Sequence, residues 1–420
     1  MSNGTEASTG SPNVEVTAPA KYGQLRAQMA IIFLTRLALN ISNRIIYPFL
    51  PSIARGLGIS LAAASALVTL RMIPGLAAPL FGPLADRHSR RSTMEVALAF
   101  FILSSLLMVG TGMLATGALV VAAASFLLYG VSKALYDPSV HAFLGDTIPY
   151  RQRGRAIGFI ELSWSSAWLL GVPAAGFLIE QHGWLAPWAI LAALGSLGLW
   201  FTHAGLPRGQ PTGQQHDGRP VIALLVGSWR RLLRRREVIA LLSTSLLLII
   251  AVEIPFIVYG AWLETSFGLS LSALGLASIV VGLAEAAAEL GTTVITDRLG
   301  KRRSVLTGLA GMAVSLVLLP GLARLGLGAA LTGIVLVVLT FEFAIVSLLP
   351  LATELVPAER ASLLSLNVTA MALGRIVGAA GGGWLWQWGG EGIALHALVG
   401  TGCALAAALS VLLGVKEIRE

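Results

Sequence analysis

Glu285 and Glu289 stand one helical turn apart in an apolar stretch of a 420-residue chain. Two carboxylates that close in a low dielectric cannot both ionise cheaply, so the pair is expected to share a proton, the property that proton coupling needs. A structural polar network with arginines of the first half would use the same residues. Glu253 and Glu342 are two further acids in apolar stretches, and the cation standing against the four is Arg375. The first half is charged the other way. Arg36, Asn40, Asn43, Arg44 and Tyr47 fall within an arc of about 100° on one helix, a polar stripe that reads as the lining of a cavity. Tyr129, Lys133, Tyr136 and Asp137 repeat the pattern. Lys133 and Asp137 are one turn apart and either serve the cavity or neutralise each other. Arg71 reads as a structural partner for another helix, and Glu161 as a structural acid near a helix end. Phe256, Tyr259, Trp262 and Phe343 bring aromatic surface near the acids, which suits an amphipathic or aromatic small molecule and suits core packing equally.

The elements that position these groups are membrane helices. The chain is 55% hydrophobic and only 12% charged, against about 25% charged in soluble domains. Apolar runs of bilayer length occur at 27–50, 61–82, 93–112, 115–137, 157–179, 184–203, 238–262, 272–293, 304–322, 328–350, 363–385 and 391–414. They predict an all-α protein of 12 transmembrane helices. The expected organisation is a disordered tail (1–24), a six-helix bundle (25–203), a linker (204–237), a second six-helix bundle (238–415) and a short tail (416–420). The polar start runs straight into a full-length span, so no cleavable signal peptide is expected. Within the linker, 208–219 is the flexible part. The basic run Trp229–Arg236 reads as an interfacial helix near lipid headgroups rather than a nucleic-acid site.

The two halves echo each other. Leu84-Ala85-Asp86-Arg87-His88-Ser89-Arg90-Arg91 is matched by Ile295-Thr296-Asp297-Arg298-Leu299-Gly300-Lys301-Arg302-Arg303, the aspartates lying 211 positions apart. Gly58-Ile59-Ser60-Leu61 is matched by Gly268-Leu269-Ser270-Leu271, and Asp146-Thr147-Ile148-Pro149 by Glu354-Leu355-Val356-Pro357. The order is preserved and the shift nearly constant, which implies internal duplication. Of the 29 Lys and Arg, Arg36, Arg44, Arg71, Lys133 and Arg375 lie within spans and Arg55 and Arg324 in loops on one side; all the others fall on the opposite side. The positive-inside rule then places both termini in the cytoplasm.

Gly82-Pro83-Leu84-Ala85-Asp86-Arg87-His88-Ser89-Arg90-Arg91 closely resembles the loop 2–3 signature of the major facilitator superfamily, departing at Ser89, where that family usually has Gly. The second copy has Thr293 in place of the leading Gly. The resemblance covers 25–415 and implies two pseudo-symmetric six-helix bundles, with helices 1, 4, 7 and 10 lining a central cavity. It also implies a cytoplasmic gate formed by Gly82, Asp86, Arg87, Arg90, Arg91, Asp146, Asp297, Arg298 and Arg302. An Asp at the end of helix 2 can meet the N-terminus of helix 11, where unpaired N–H groups carry partial positive charge, and the following arginines can pair with acids such as Asp146. Asp297 would do the same for helix 5. Leu170-Gly171-Val172-Pro173-Ala174-Ala175-Gly176 partly resembles the family's antiporter signature. Pro173 and Gly176 match while Val172 and Phe177 do not, so Gly171, Pro173 and Gly176 form either a hinge or a close-packing face. Gly374, Gly378 and Gly382 recur every fourth residue, for which close packing suffices.

The single cysteine, Cys403, gives no disulfide framework or thiolate metal site, and neither a Walker A lysine motif nor a His-Glu-x-x-His motif occurs. No cofactor, metal or enzymatic activity is expected. The reading is a monomeric proton-driven exporter of a small amphipathic molecule in the cytoplasmic (inner) membrane, with protons, substrate and membrane lipid as partners and no nucleic acid. Proton-coupled uptake or lysolipid translocation is the alternative. A non-transporting sensor would not need matched gates in both halves.

Overall fold

The computed structural model describes residues 19–77, 89–208 and 221–415, with the side chains of 19–22, 150, 151, 221–226, 293, 294 and 297 left aside. Every regular element within them is helical. Ten helices are long and apolar enough to cross a bilayer. An eleventh span is the bent pair Gly23–Arg44 and Ile46–Leu57, and Leu61–Leu76 is a shorter apolar helix that ends beside an undescribed stretch. That succession matches the twelve expected apolar runs.

The spans are α1 (Pro19–Arg44, then Ile46–Leu57), α2 (Leu61–Leu76), α3 (Arg90–Gly110), α4 (Ala118–Thr147), α5 (Tyr150–Ser166, then Val172–His182) and α6 (Ala186–Gly205). A linker helix, Val221–Leu232, leads to α7 (Arg236–Ile257, then Tyr259–Phe267) and α8 (Leu271–Ala277, then Ile279–Leu299). The last four are α9 (Lys301–Ala323), α10 (Leu327–Leu355), α11 (Arg360–Trp388) and α12 (Ala394–Gly414).

The interruptions have chemical causes. α1 bends by 60° between Arg44 and Ile46. Pro48 has no N–H to give the Arg44 carbonyl, and its ring crowds that carbonyl, so the helix opens there. In α5 a π-helical turn, Ala167–Gly171, runs up to Val172-Pro173; Pro173 withholds a bond from the Leu169 carbonyl in the same way. The helix-5 motif is a close-packing face next to a local change of winding. Pro173 sits just after a local rewinding, while a Cβ on Gly171 would lie 2.2 Å from Ile41 and one on Gly176 2.6 Å from the Leu271 carbonyl oxygen.

Duplication extends to individual contacts. At the end remote from the basic loops, α1 stops at Gly58 (φ 66°) and α7 at Gly268 (φ 63°). The next helices start with Ser60 accepting from Ala63 N and Ser270 accepting from Ala273 N. At the basic end Arg90 pairs with Asp146 at 3.2 Å, and Lys301 pairs with Glu354. Arg91 Nη1 donates to the Leu206 carbonyl just past α6 at 2.9 Å, and Arg302 Nε donates to the Val415 carbonyl just past α12 at 2.7 Å. In each repeat the cations that open the third helix therefore hold the ends of the fourth and sixth. Arg302→Ala is expected to lower stability by about 1–2 kcal/mol, the size of a charge-assisted bond at a half-buried site, read as a fall in melting temperature.

Helix 11 meets helix 7 along its glycine row. A Cβ on Gly374, Gly378 or Gly382 would strike the Leu246 carbonyl at 2.7 Å, Glu253 Cβ at 2.5 Å and Ile257 at 2.4 Å. This close approach brings Arg375 beside Glu253. At the remote end the halves also touch. A Cβ on Gly260 would lie 2.0 Å from the Pro48 carbonyl oxygen, one on Gly275 3.0 Å from Pro173 Cα, and Arg55 pairs with Glu264 at 2.9 Å.

Candidate functional site

The polar stripe of α1 is buried throughout and spent on neighbours in both halves. Arg36 pairs with Asp137 at 3.3 Å and Glu161 at 3.0 Å. Asn40 donates to Ser163 Oγ at 3.1 Å and accepts from Lys133 Nζ at 2.9 Å. Lys133 pairs with Asp137 at 2.7 Å, so these two do neutralise each other. Glu161, which also lies 3.5 Å from His141, has the structural role expected of it.

The next residues of the stripe reach across to the second half. Arg44 Nη2 donates to both Glu285 oxygens at 2.7 and 2.9 Å, and Trp168 Nε1 donates to Oε1 at 3.2 Å. The side chains of Arg44 and Glu285 are 8% and 6% exposed, so the pair is shut away from water. Its guanidinium lies over the rings of Trp164 (4.0 Å) and Trp168 (4.9 Å). Tyr47 donates to Glu253 at 3.1 Å, and Arg375 Nη1 lies 3.9 Å from the same carboxylate. Phe256 packs edge-on to Tyr47 and Trp168 and stacks on Tyr259 at 5.6 Å. These aromatic rings wall the carboxylates in apolar surroundings, where an ion pair is strong and a lost partner costly.

A cavity of about 340 Å³ lies against this network, within the size range of small-molecule sites. It is lined from α1 by Asn43, from α2 by Arg71, Met72 and Gly75, from α4 by Tyr129 to Pro138, from α5 by Trp164, and from α11 by Val368, Met371, Ala372 and Arg375. Of the residues expected to line the cavity, Tyr129, Lys133, Asp137 and Arg375 do so. Arg36, Asn40, Arg44 and Tyr47 lie behind it in the ion-pair network. Tyr136 is bonded to Thr35 and packs α4 on α1; Tyr259 lies 3.2 Å from Ser278 Oγ and packs α7 on α8. Phe256 and Tyr259 border a separate void of about 20 Å³. Helices 7 and 10 contribute nothing to the lining of the larger cavity, whereas helices 2, 5 and 11 do, because the inward face of helix 7 is already occupied by Tyr47 and helix 11.

Of the two arrangements open to Glu285 and Glu289, the network with a first-half arginine is the one Glu285 forms. Glu285 is committed to Arg44 and Trp168, while Glu289, like Glu342, is part-buried and forms no ion pair among the described residues. Arg71 does meet two other helices, α1 and α4, though no carboxylate lies within 4 Å of it among the described residues. Its Nη1 reaches the Asn43 carbonyl at 3.4 Å and its guanidinium lies 5.3 Å from the centre of the Tyr129 ring. Trp164 and Trp168 were not singled out from the sequence; their i, i+4 spacing just before Pro173 is the signal that points to them. Gly82, Asp86 and Arg87 lie outside the described residues, as does the side chain of Asp297. Arg298 is exposed.

A repeated twelve-span helical architecture with charged groups and a cavity between its halves defines a membrane transporter. The model of the Major Facilitator Superfamily matches residues 32–261 and 241–419, and the chain belongs to that family. It is similar to the inner membrane transport protein YdhP of Escherichia coli (strain K12), 26% identical over 88% of this chain and 90% of that one. It is also similar to multidrug resistance protein 1 of Bacillus subtilis (strain 168), 30% identical over 36% of this chain and 40% of that one. Among solved structures, the D-xylose-proton symporter shares the fold with a TM-score of 0.74 at 17% identity, covering 94% of this chain and 98% of that one.

Proposed function

We propose that the chain is a proton-coupled exporter of a small amphipathic molecule, working as a monomer in the cytoplasmic membrane with both termini inside. The observation that carries the reading is the buried Arg44–Glu285 pair, which joins the halves beside the bend of α1. While Glu285 is ionised the pair binds the halves together; once a proton neutralises the carboxylate that attraction is gone. α1 is then released from α8, and the bundles 25–203 and 238–415 rock about the cavity. Glu253, held by Tyr47 and Arg375, is a second proton site in the same interface. Glu289 and Glu342, which have no ion pair among the described residues, provide a route to it. The resemblance of the two loops assigns the cytoplasmic gate to the motifs of Asp86 and Asp297, and the described cations after them brace α4, α6, α10 and α12. The partial helix-5 signature and the likeness to a multidrug resistance protein favour export over uptake.

The test is reconstitution in liposomes with an internal pH dye and a panel of chemically distinct compounds. Wild type should move protons in response to at least one compound, and Glu285→Gln should reduce that signal to the level of empty liposomes. Proton movement that survives Glu285→Gln combined with Glu289→Gln, or none with any compound, would sink the coupling.

A further inference from the structure

Among the described residues, every cation around the cavity but one meets a carboxylate within 4 Å. Arg36 and Lys133 are met by Asp137 and Glu161. Arg44 is met by Glu285 and Arg375 by Glu253. Arg71 also lies within electrostatic range of Glu253, but that carboxylate is in contact with Arg375 and Tyr47. The cation that meets none is Arg71, ten residues into α2 and so about 15 Å from the helix start; the acids without an ion pair among the described residues, Glu289 and Glu342, do not line this cavity. Arg71 is 3% exposed and lines the cavity. Its Nε and Nη2 have no hydrogen-bond acceptor among the described residues. A buried guanidinium with empty donors is costly and is kept where something fills them. The guanidinium fork suits an oxyanion, which it can meet with two parallel bonds. Apart from Asn43, Tyr129 and the paired Lys133, Asp137 and Arg375, the lining is apolar, with Met72, Met371, Ala372, Val368 and the Trp164 ring as its larger surfaces. Methionines adapt to varied shapes.

We propose that Arg71 holds the oxyanion of the transported molecule, and that the substrate is an amphipathic anion whose aromatic or aliphatic body lies against Met72, Met371 and Trp164. This rests on reading the cavity as the substrate site of a transporter.

The test is equilibrium binding to the full chain in nanodiscs, with 1-naphthoate, 1-naphthalenesulfonate, 1-naphthamide and 1-naphthylmethylammonium as probes. Both anions should bind at least about tenfold more tightly than the amide, the worth of one charge-assisted bond, and the ammonium most weakly. Arg71→Met should bring the anions down to the affinity of the amide and leave the amide unchanged. Arg71→Lys should retain part of the preference. Without ligand, Arg71→Met should melt no lower than wild type, because it removes an unpaired buried charge. Equal binding of naphthoate and naphthamide to wild type, failure of both anions to bind, or a preference that persists in Arg71→Met overturns the proposal. So does a melting temperature of Arg71→Met well below wild type, which would make Arg71 a structural cation. Binding needs no proton gradient, so failure here leaves the Glu285 coupling standing, and loss of coupling in liposomes leaves this readout intact.

Discussion

Arg44→Met is expected to destabilise the protein by about 3–5 kcal/mol, and Glu285→Leu by a similar amount, while the double variant recovers most of the loss. Removing one partner of a buried pair leaves the other charge without compensation, whereas replacing both by apolar groups of similar volume is often near neutral. The conditions hold here: both side chains are less than a tenth exposed, the nitrogen–oxygen distances are 2.7 and 2.9 Å, and Trp164 and Trp168 cover the guanidinium. The measurement is a double-mutant cycle of melting temperatures in nanodiscs. Single effects below about 1 kcal/mol that simply add would place the pair with solvent-exposed ion pairs and remove the latch. The double variant also separates folding from function. It should be folded and yet move no protons, since position 285 can no longer titrate.

Gly260→Val should open the end of the protein remote from the basic loops. Even a Cβ at Gly260 would fall 2.0 Å from the Pro48 carbonyl oxygen, a backbone atom with no freedom to turn aside. Overpacking of this kind costs about 1–3 kcal/mol, and every 1.4 kcal/mol shifts an equilibrium by about tenfold. Because α1 and α7 belong to opposite halves, the strain is relieved by parting them. The readout is labelling of Ser52→Cys, a buried position on the outer segment of α1, by a membrane-impermeant maleimide added outside, with Cys403 replaced by serine. Labelling about tenfold or more faster in Gly260→Val than in the Gly260 parent is expected. Equal rates would show that this crossing does not hold the end closed.

Both predictions depend on residues whose types were visible in the chain but whose partners were not. Arg44 and Glu285 are 241 positions apart, and nothing in their local sequence joins them. Glu285 and Glu289 show the opposite case. Their spacing puts them on one side of a helix and suggests a self-contained pair, but α1 inserts an arginine beside only one of them. The carboxylates of the second half and the cations of the first, listed apart by sequence, become one interface when the halves pack. Lys133 and Asp137, by contrast, pair as a one-turn spacing allows, because both partners lie on one helix.

The sequence by itself determined what depends on local chemistry and on repetition. Apolar run length placed the spans, Pro173 marked where α5 is disturbed, and the repeated loops foretold that Arg90 and Lys301 would occupy equivalent positions. Only the tertiary structure decided which helices line the cavity. It brought α11 onto α7 along Gly374, Gly378 and Gly382, set Arg375 beside Glu253, and left Arg71 facing the cavity with no acid within 4 Å among the described residues. The physical reason is that a helix's own spacing fixes which residues share a face, while the neighbour that satisfies a buried charge is chosen by packing between segments far apart in the chain.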